Sequence, residues 1–125
     1  MSTTTKYTTE HEWVRIESDD SVTVGITDYA QEQLGDIVYV QLPDVGRRFK
    51  KGEEAVVIES VKAAADIKMP IAGEILAVNT KLTDAPETVN GDPLGAGWFL
   101  KVKPDDRGEL DALLDESAYA RLTAQ

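Results

Sequence analysis

The chain has 125 residues, no cysteine, one histidine and a formal net charge of −10. That length suits a single domain over residues 1–125, able to bury about two thirds of the surface its unfolded form exposes. The missing cysteines exclude disulfides and thiolate metal sites, the lone His11 excludes a multi-histidine site within one chain, and the acidity disfavours nucleic acid. No apolar run approaches the roughly 20 residues of a membrane span. Residues 1–7 have neither the apolar core of a signal peptide nor the Arg-rich character of a transit peptide. The expectation is a cytoplasmic protein that keeps its own start, whose charge either serves solubility alone or also steers it toward basic partner surfaces.

Residues 1–8 are polar and Thr-rich and read as a loose lead-in. Trp13 to Glu17 alternates like a strand, Ser18-Asp19-Asp20-Ser21 is a turn cluster, and Val22 to Ile26 reads as the returning strand. Thr27 or Asp28 can cap a short helix near 28–34, which Gly35 ends. Ile37 to Leu42 is a strand that Pro43 stops. Val45 to Gly52 is a loop or short strand holding a basic patch, Arg47-Arg48 with Lys50-Lys51, which reads as solvated. Thr83 to Glu87 reads as a turn with one helical turn, and Asn90-Gly91-Asp92-Pro93 is dense turn chemistry. Pro104 to Arg107 ends the sheet region. Residues 105–125 form a helical tail, with Leu110, Leu113 and Leu114 at helical spacing, expected to pack across one sheet. Trp13 and Trp98 both read as core.

Propensity and pattern conflict over Glu53 to Met69. The segment is rich in Ala, Glu and Lys and can be written as a helix. As strands it would turn at Val61-Lys62, which is neither Asn-Gly nor Asp-Gly. An internal repeat favours strands. Gly35-Asp36-Ile37-Val38-Tyr39-Val40 recurs as Gly73-Glu74-Ile75-Leu76-Ala77-Val78. Each copy reaches a second Gly-acid pair, Gly52-Glu53 or Gly91-Asp92, and then an apolar segment, Ala55–Ile58 or Trp98–Val102. Two such units can bury their faces only against each other. The expected architecture is mainly β: a flattened, quasi-two-fold sandwich with Lys62 at the junction between the units.

Taken alone, Lys62 reads as one solvated lysine among several. Its setting, Glu59-Ser60-Val61-Lys62-Ala63 followed by Ala64 and Ala65, offers a modifying enzyme an amine with nothing bulky after it. Glu59 and Asp66 bracket it with acid. His11 lies between Glu10 and Glu12, a trio that can do acid–base work but is more often a surface hydrogen-bond cluster.

Over nearly its whole length the chain resembles the H protein of the glycine cleavage system. The residues that carry the resemblance are Lys6-Tyr7, His11 to Val14, Val24 to Gln31, Leu34 to Val38 and Leu42-Pro43. Glu59-Ser60-Val61-Lys62-Ala63 is the most specific stretch. Asp66, Pro70, Gly73-Glu74, Val78-Asn79, Gly97-Trp98 and Lys101 to Pro104 complete the match. Val61 and Ala63 beside the lysine distinguish it from biotin carriers, which resemble Met-Lys-Met, and from acyltransferase lipoyl domains, which resemble Asp-Lys-Ala.

The resemblance implies a biotinyl/lipoyl-carrier fold (a barrel-sandwich hybrid) with lipoic acid joined to Lys62 as an amide. It implies an aminomethyl group received from the glycine decarboxylase P protein and passed to the aminomethyltransferase T protein. Dihydrolipoyl dehydrogenase then restores the disulfide, and a lipoate-attaching enzyme reads Glu59, Val61 and Ala63. On this reading the chain is a shared substrate rather than a catalyst. Glu12, Asp66 and His11 are expected to shelter the loaded arm. Two rival readings are a lipoate relay serving other proteins and a small hydrolase built on Glu10, His11 and Glu12.

Overall fold

The computed structural model describes residues 4–17, 21–106 and 108–123. Among the described residues, nine strands form two antiparallel sheets. β1 (Thr4–Tyr7), β2 (Glu12–Ile16) and β3 (Val22–Ile26) run as a meander, and β3 pairs with β9 (Leu100–Pro104). Beyond β9 lie β8 (Gly73–Val78) and the two-residue β5 (Arg48–Phe49), completing six strands in the order β1-β2-β3-β9-β8-β5. The second sheet holds β4 (Ile37–Gln41), β6 (Glu54–Ser60) and β7 (Ala64–Lys68), with β6 in the centre. One apolar cluster joins them: Ile37, Val40, Val56, Ile58 and Ile67 from the smaller sheet meet Val24, Ile75, Leu100 and Val102 from the larger. Burial of that kind contributes roughly 25 cal/mol per Å² of apolar surface. None of the helices described is long and apolar enough to cross a membrane.

The conflict over Glu53 to Met69 resolves as strands. Val56, Ile58 and Ile67 are buried while Glu59 and Asp66 are exposed, an alternation that a helix over the same residues would scramble. The repeat also takes structural form. β4 pairs with β6 and β8 pairs with β9, so the two copies lie in different sheets and face each other across the core. Each ladder carries a register irregularity at the same place in the repeat, between Ile37 and Tyr39 in one and between Ile75 and Ala77 in the other.

Helix α1 (Asp28–Leu34) starts at Thr27, whose hydroxyl accepts from the Ala30 amide at 3.3 Å, and stops at Gly35, where φ is +78°. Trp13 is buried, its Nε1 donating to the Pro93 carbonyl at 2.9 Å. It lies opposite Gly25, where any Cβ would fall 2.6 Å from the indole. Arg48 pairs with Glu74 and Asp105, so part of the expected solvated basic patch is tied to the sheet.

Four expectations need correction. The lead-in is loose in neither pairing nor packing from residue 4 onward: β1 pairs along β2, Tyr7 stacks on Tyr119 at 4.6 Å, and Tyr7 and Leu114 exchange backbone hydrogen bonds. The stretch between β8 and β9 contains two helical turns, α2 (Lys81–Asp84) and α3 (Thr88–Gly91), anchored by buried Leu82 and Val89. Only α5 (Glu116–Thr123) departs from the expected packing across a sheet and lies along the edge strand β1; α4 (Gly108–Asp111) sets Leu110 into the core between the sheets. Trp98 is only half buried. The expected lead residues 1–3, turn residues Ser18 to Asp20, Arg107 and the last two tail residues lie outside the described residues; the Glu17 amide donates to the Ser21 carbonyl at 2.8 Å.

Candidate functional site: a lysine on a pinned hairpin beside a cavity

Lys62 sits at the tip of the β6–β7 hairpin, exposed. Two-residue hairpins usually need left-handed residues at the turn. Here neither Val61 nor Lys62 has positive φ; His11 is the only described non-glycine that does. Ser60 makes the turn possible. Its hydroxyl accepts from the Ala63 amide at 3.1 Å and the Lys62 amide at 3.3 Å, and it lies 3.0 Å from the Ala63 carbonyl, to which it can donate. The Ser60 amide donates to the same carbonyl at 2.8 Å.

The tip is also tied sideways, the Val61 amide donating to the Asp36 carbonyl at 3.0 Å. Asn90 fixes the segment it leans on. Its Oδ1 accepts from the Ile37 amide at 2.8 Å, and its Nδ2 donates to the Gly35 carbonyl and to Gln31 Oε1, both at 2.9 Å. The Lys62 stem lies over Gly35, where a Cβ would come within 3.2 Å of Lys62 Cε.

Three residues along β7 from Lys62, about 10 Å at strand rise, Ala65 enters the wall of a cavity of about 300 Å³. Ile26, Ala30, Leu34, Ala65 and Ile67 give it an apolar lining. Glu10, His11, Glu12, Gln33, Asp66 and Lys68 supply its polar groups. Glu12 is buried, yet its carboxylate spans the two sheets: Oε2 accepts from the Lys68 amide of β7 at 3.1 Å and Oε1 from the Thr8 hydroxyl at 3.3 Å. Burial pushes its pKa up to about 7; the Lys68 amide and Thr8 hydroxyl pull it down, neighbouring Glu10 pushes it up, and the Lys68 charge pulls it down. A cation brought into this cavity would therefore meet a carboxyl poised to ionise.

His11 is held from behind. Its Nδ1 lies 2.9 Å from the Tyr119 hydroxyl, which lies 2.6 Å from Thr27 Oγ1, and its ring tilts against Tyr29 at 4.5 Å. Burial raises the Tyr119 phenol, which stays protonated and able to donate. Asp66 reaches the cavity rim but interacts with Glu54 on the adjacent strand; that hydrogen bond, and then the Asp66 charge, raise the Glu54 pKa.

The structure thus brings Glu12, His11 and Asp66 to one cavity. Glu59, Val61 and Ala63 are exposed around Lys62. No hydrogen bond joins His11 to Glu10 or Glu12 among the described residues, so the acid–base trio is not assembled as a relay. Among the described residues no three His, Cys, Asp or Glu side chains are grouped to hold a metal. The sequence does not pick out Ser60, Asn90 and Tyr119 as site residues, and Thr27 reads there only as a helix cap. A serine two residues before a turn lysine was the one available signal; Asn90 and Tyr119 act across 55 and 108 residues of chain respectively, and nothing local marks them.

A small β-sandwich with a lysine on a hydrogen-bonded hairpin, next to a part-apolar cavity, has the fold of a lipoyl-type carrier. The glycine cleavage H-protein profile matches residues 5–125. Curated relatives of the same description include one from Thermotoga maritima, 59% identical over 120 residues (96% of both chains), and one from Teredinibacter turnerae, 57% identical over 116 residues (93% of this chain, 89% of the relative). A crystal structure of a glycine cleavage system H protein from Mycobacterium marinum superposes with a TM-score of 0.89 at 40% identity, covering all of both chains. This chain belongs to the glycine cleavage H-protein family, the lipoyl-carrying shuttle of the glycine cleavage system.

Proposed function

We propose that Lys62 is the lipoyl attachment site and that the chain carries an aminomethyl group in the cytoplasm. The cargo comes from the glycine decarboxylase P protein and goes to the aminomethyltransferase T protein, with dihydrolipoyl dehydrogenase completing the cycle. The observation that carries this reading is the hairpin: an exposed lysine whose backbone is pinned at both flanks by Ser60 and Asp36. A pinned tip presents the amine to an enzyme at little ordering cost.

Attachment needs the Lys62 ammonium to lose a proton. The freed lone pair attacks the carbonyl carbon of an activated acyl donor, a C–N bond forms, the activating group leaves with its bonding electrons, and the nitrogen gives up a second proton to become a neutral amide. The positive charge of Lys62 is thereby lost. Lipoate supplies, when bound, the disulfide that a chain without cysteine lacks.

The residues around Lys62 and the cavity suit that group. Gly35 leaves room for the lysine stem. Ile26, Ala30, Leu34, Ala65 and Ile67 offer an apolar lining to a hydrocarbon arm and exclude water, and Glu12 offers a carboxylate to a cationic cargo. Asp66 and His11 stand at the same cavity. Glu59, Val61 and Ala63 face an approaching lipoate-attaching enzyme. No residue here acts on the cargo, and the chain is a shared substrate.

The test is intact mass after expression with and without lipoate. The wild type gains the mass of one lipoyl group and Lys62→Arg gains none. A gain that survives the substitution overturns the assignment.

A further inference from the structure

Exposure does not single out Lys62, because Lys50, Lys51, Lys68, Lys81 and Lys103 are exposed too. An enzyme that acylates one of them must read something else. The chain places a second surface beside the hairpin tip. In a regular strand Val38 and Tyr39 would point to opposite faces. The register shift between Ile37 and Tyr39 instead leaves Ile37 and Val40 buried and turns both intervening side chains out, Val38 56% and Tyr39 44% exposed. Tyr39 pairs with Glu59 of β6, so the two side chains are cross-strand neighbours, about 5 Å apart at Cβ. Ile37 pairs with Ser60, and Asp36 holds the amide of Val61, itself 65% exposed. The surface flanking Lys62 is therefore an apolar centre of Val38, Tyr39 and Val61 bordered by the exposed acids Asp36 and Glu59.

We propose that this two-strand surface is the docking face for the lipoate-attaching enzyme, whose complementary face is apolar at its centre and basic at its rim. The inference rests on Lys62 being the acylated residue and adds β4 to what is read. Charge removes two occupants, and the bare amine selects the enzyme that acylates it. The chain carries a net −10 and the border of the surface is acidic, so a second copy would set Asp36 and Glu59 against like charges, and an anionic lipid surface would be repelled. A basic rim is attracted and steered. The surface is also continuous with the amine, so an enzyme seated on it has Lys62 within its reach.

The internal repeat supplies the control. Leu76 is the counterpart of Val38 at the equivalent irregularity on the other sheet, and it is 40% exposed. The experiment measures acylation of the unmodified chain by a purified lipoate ligase with lipoate and ATP, read as intact mass over time. Circular dichroism and the thermal midpoint confirm folding. Val38→Ser with Tyr39→Ser should lower kcat/KM at least tenfold through KM, while Leu76→Ser changes it less than twofold. Asp36→Asn with Glu59→Gln should flatten the rise of KM with salt.

Wild-type kinetics in the Val38/Tyr39 variant would show that the hairpin alone is read and would sink the proposal. So would a fall confined to kcat, or a change in oligomeric state with acylation intact. Unchanged salt dependence in the Asp36/Glu59 variant would remove the basic rim. Acylation of Lys62→Arg would instead overturn the attachment site, a separate failure.

Discussion

The two halves of the repeat solve one backbone problem in two ways. Ile37 and Ile75 occupy the same position in the two copies, and each takes its amide partner from the other copy's loop. For Ile75 the partner is backbone: the Arg47 carbonyl, at 2.9 Å, where β5 lies along β8. For Ile37 it is the Asn90 side chain, at 2.8 Å. The repeated glycines diverge likewise. Gly73 is required because a Cβ would sit 2.4 Å from the Lys103 carbonyl; Gly35 is required because its φ is +78° and the Lys62 stem crosses it. The second half is thus built for a continuous sheet. The first half gives up a strand pairing at β4 and uses one asparagine to hold the ground on which the lysine hairpin rests. Presenting Lys62 therefore depends on a side chain that has no counterpart in the other half.

Removing that side chain is the strongest way to break the comparison. Asn90→Ala leaves the Ile37 amide and Gly35 carbonyl without their partners, and a loss of about 3 kcal/mol in denaturant unfolding is expected. Hydrogen exchange should quicken first at Ile37 and Val61 and last at Ile75. Equal quickening at Ile75 would mean that the two halves are held alike.

The next effect concerns Glu12, the link between the sheets. Its folded pKa, about 7, lies above the ordinary value of 4.5, so the folded chain binds the proton more tightly than the unfolded one. The associated stability is fully present below pH 4.5 and is lost as pH rises through 7. Unlipoylated wild type should lose about 3 kcal/mol relative to Glu12→Gln between pH 4.5 and 8. A difference constant with pH would show that the carboxyl is not strained by burial.

Much of this was legible in residues. The repeat places Ile37 against Ile75 in the right sheets, Thr27 and Gly35 bound α1, and Glu59 to Ala63 mark the hairpin. What the sequence hid has physical reasons. Thr4 to Tyr7 looks like a lead-in because its partners, β2 and Leu114, are fixed by pairing and stacking rather than by an apolar pattern. Val38 and Tyr39 read as alternating because a register irregularity belongs to a pair of strands, not to one. The Val61-Lys62 turn looks unsuitable until the Ser60 hydroxyl is seen to replace left-handed backbone. Of the cavity, Glu12, His11 and Asp66 could be named in advance, but the buried link between Glu12 and β7 could not.

The smallest effect isolates what the tail adds to the first half alone. α5 stands behind the cavity: its Tyr119 stacks on Tyr7 and lies within hydrogen-bond distance of both the cavity residue His11 and the α1 cap, Thr27. Tyr119→Phe keeps the ring and its stacking and removes only the hydroxyl, so a cost of about 1 kcal/mol is expected. Thr27→Ala costs about as much through the cap itself. If the 2.6 Å contact couples them, the double variant loses less than the sum of the singles, by about 0.5–1 kcal/mol. The His11 ring resonances, unambiguous because the chain has one histidine, should shift in Tyr119→Phe and stay put in Leu76→Ser. Strict additivity with unmoved His11 resonances would reduce α5 to packing on β1. Coupling would make the tail the support that holds His11 in the wall of the cavity beside Lys62, a support the second half of the repeat does without.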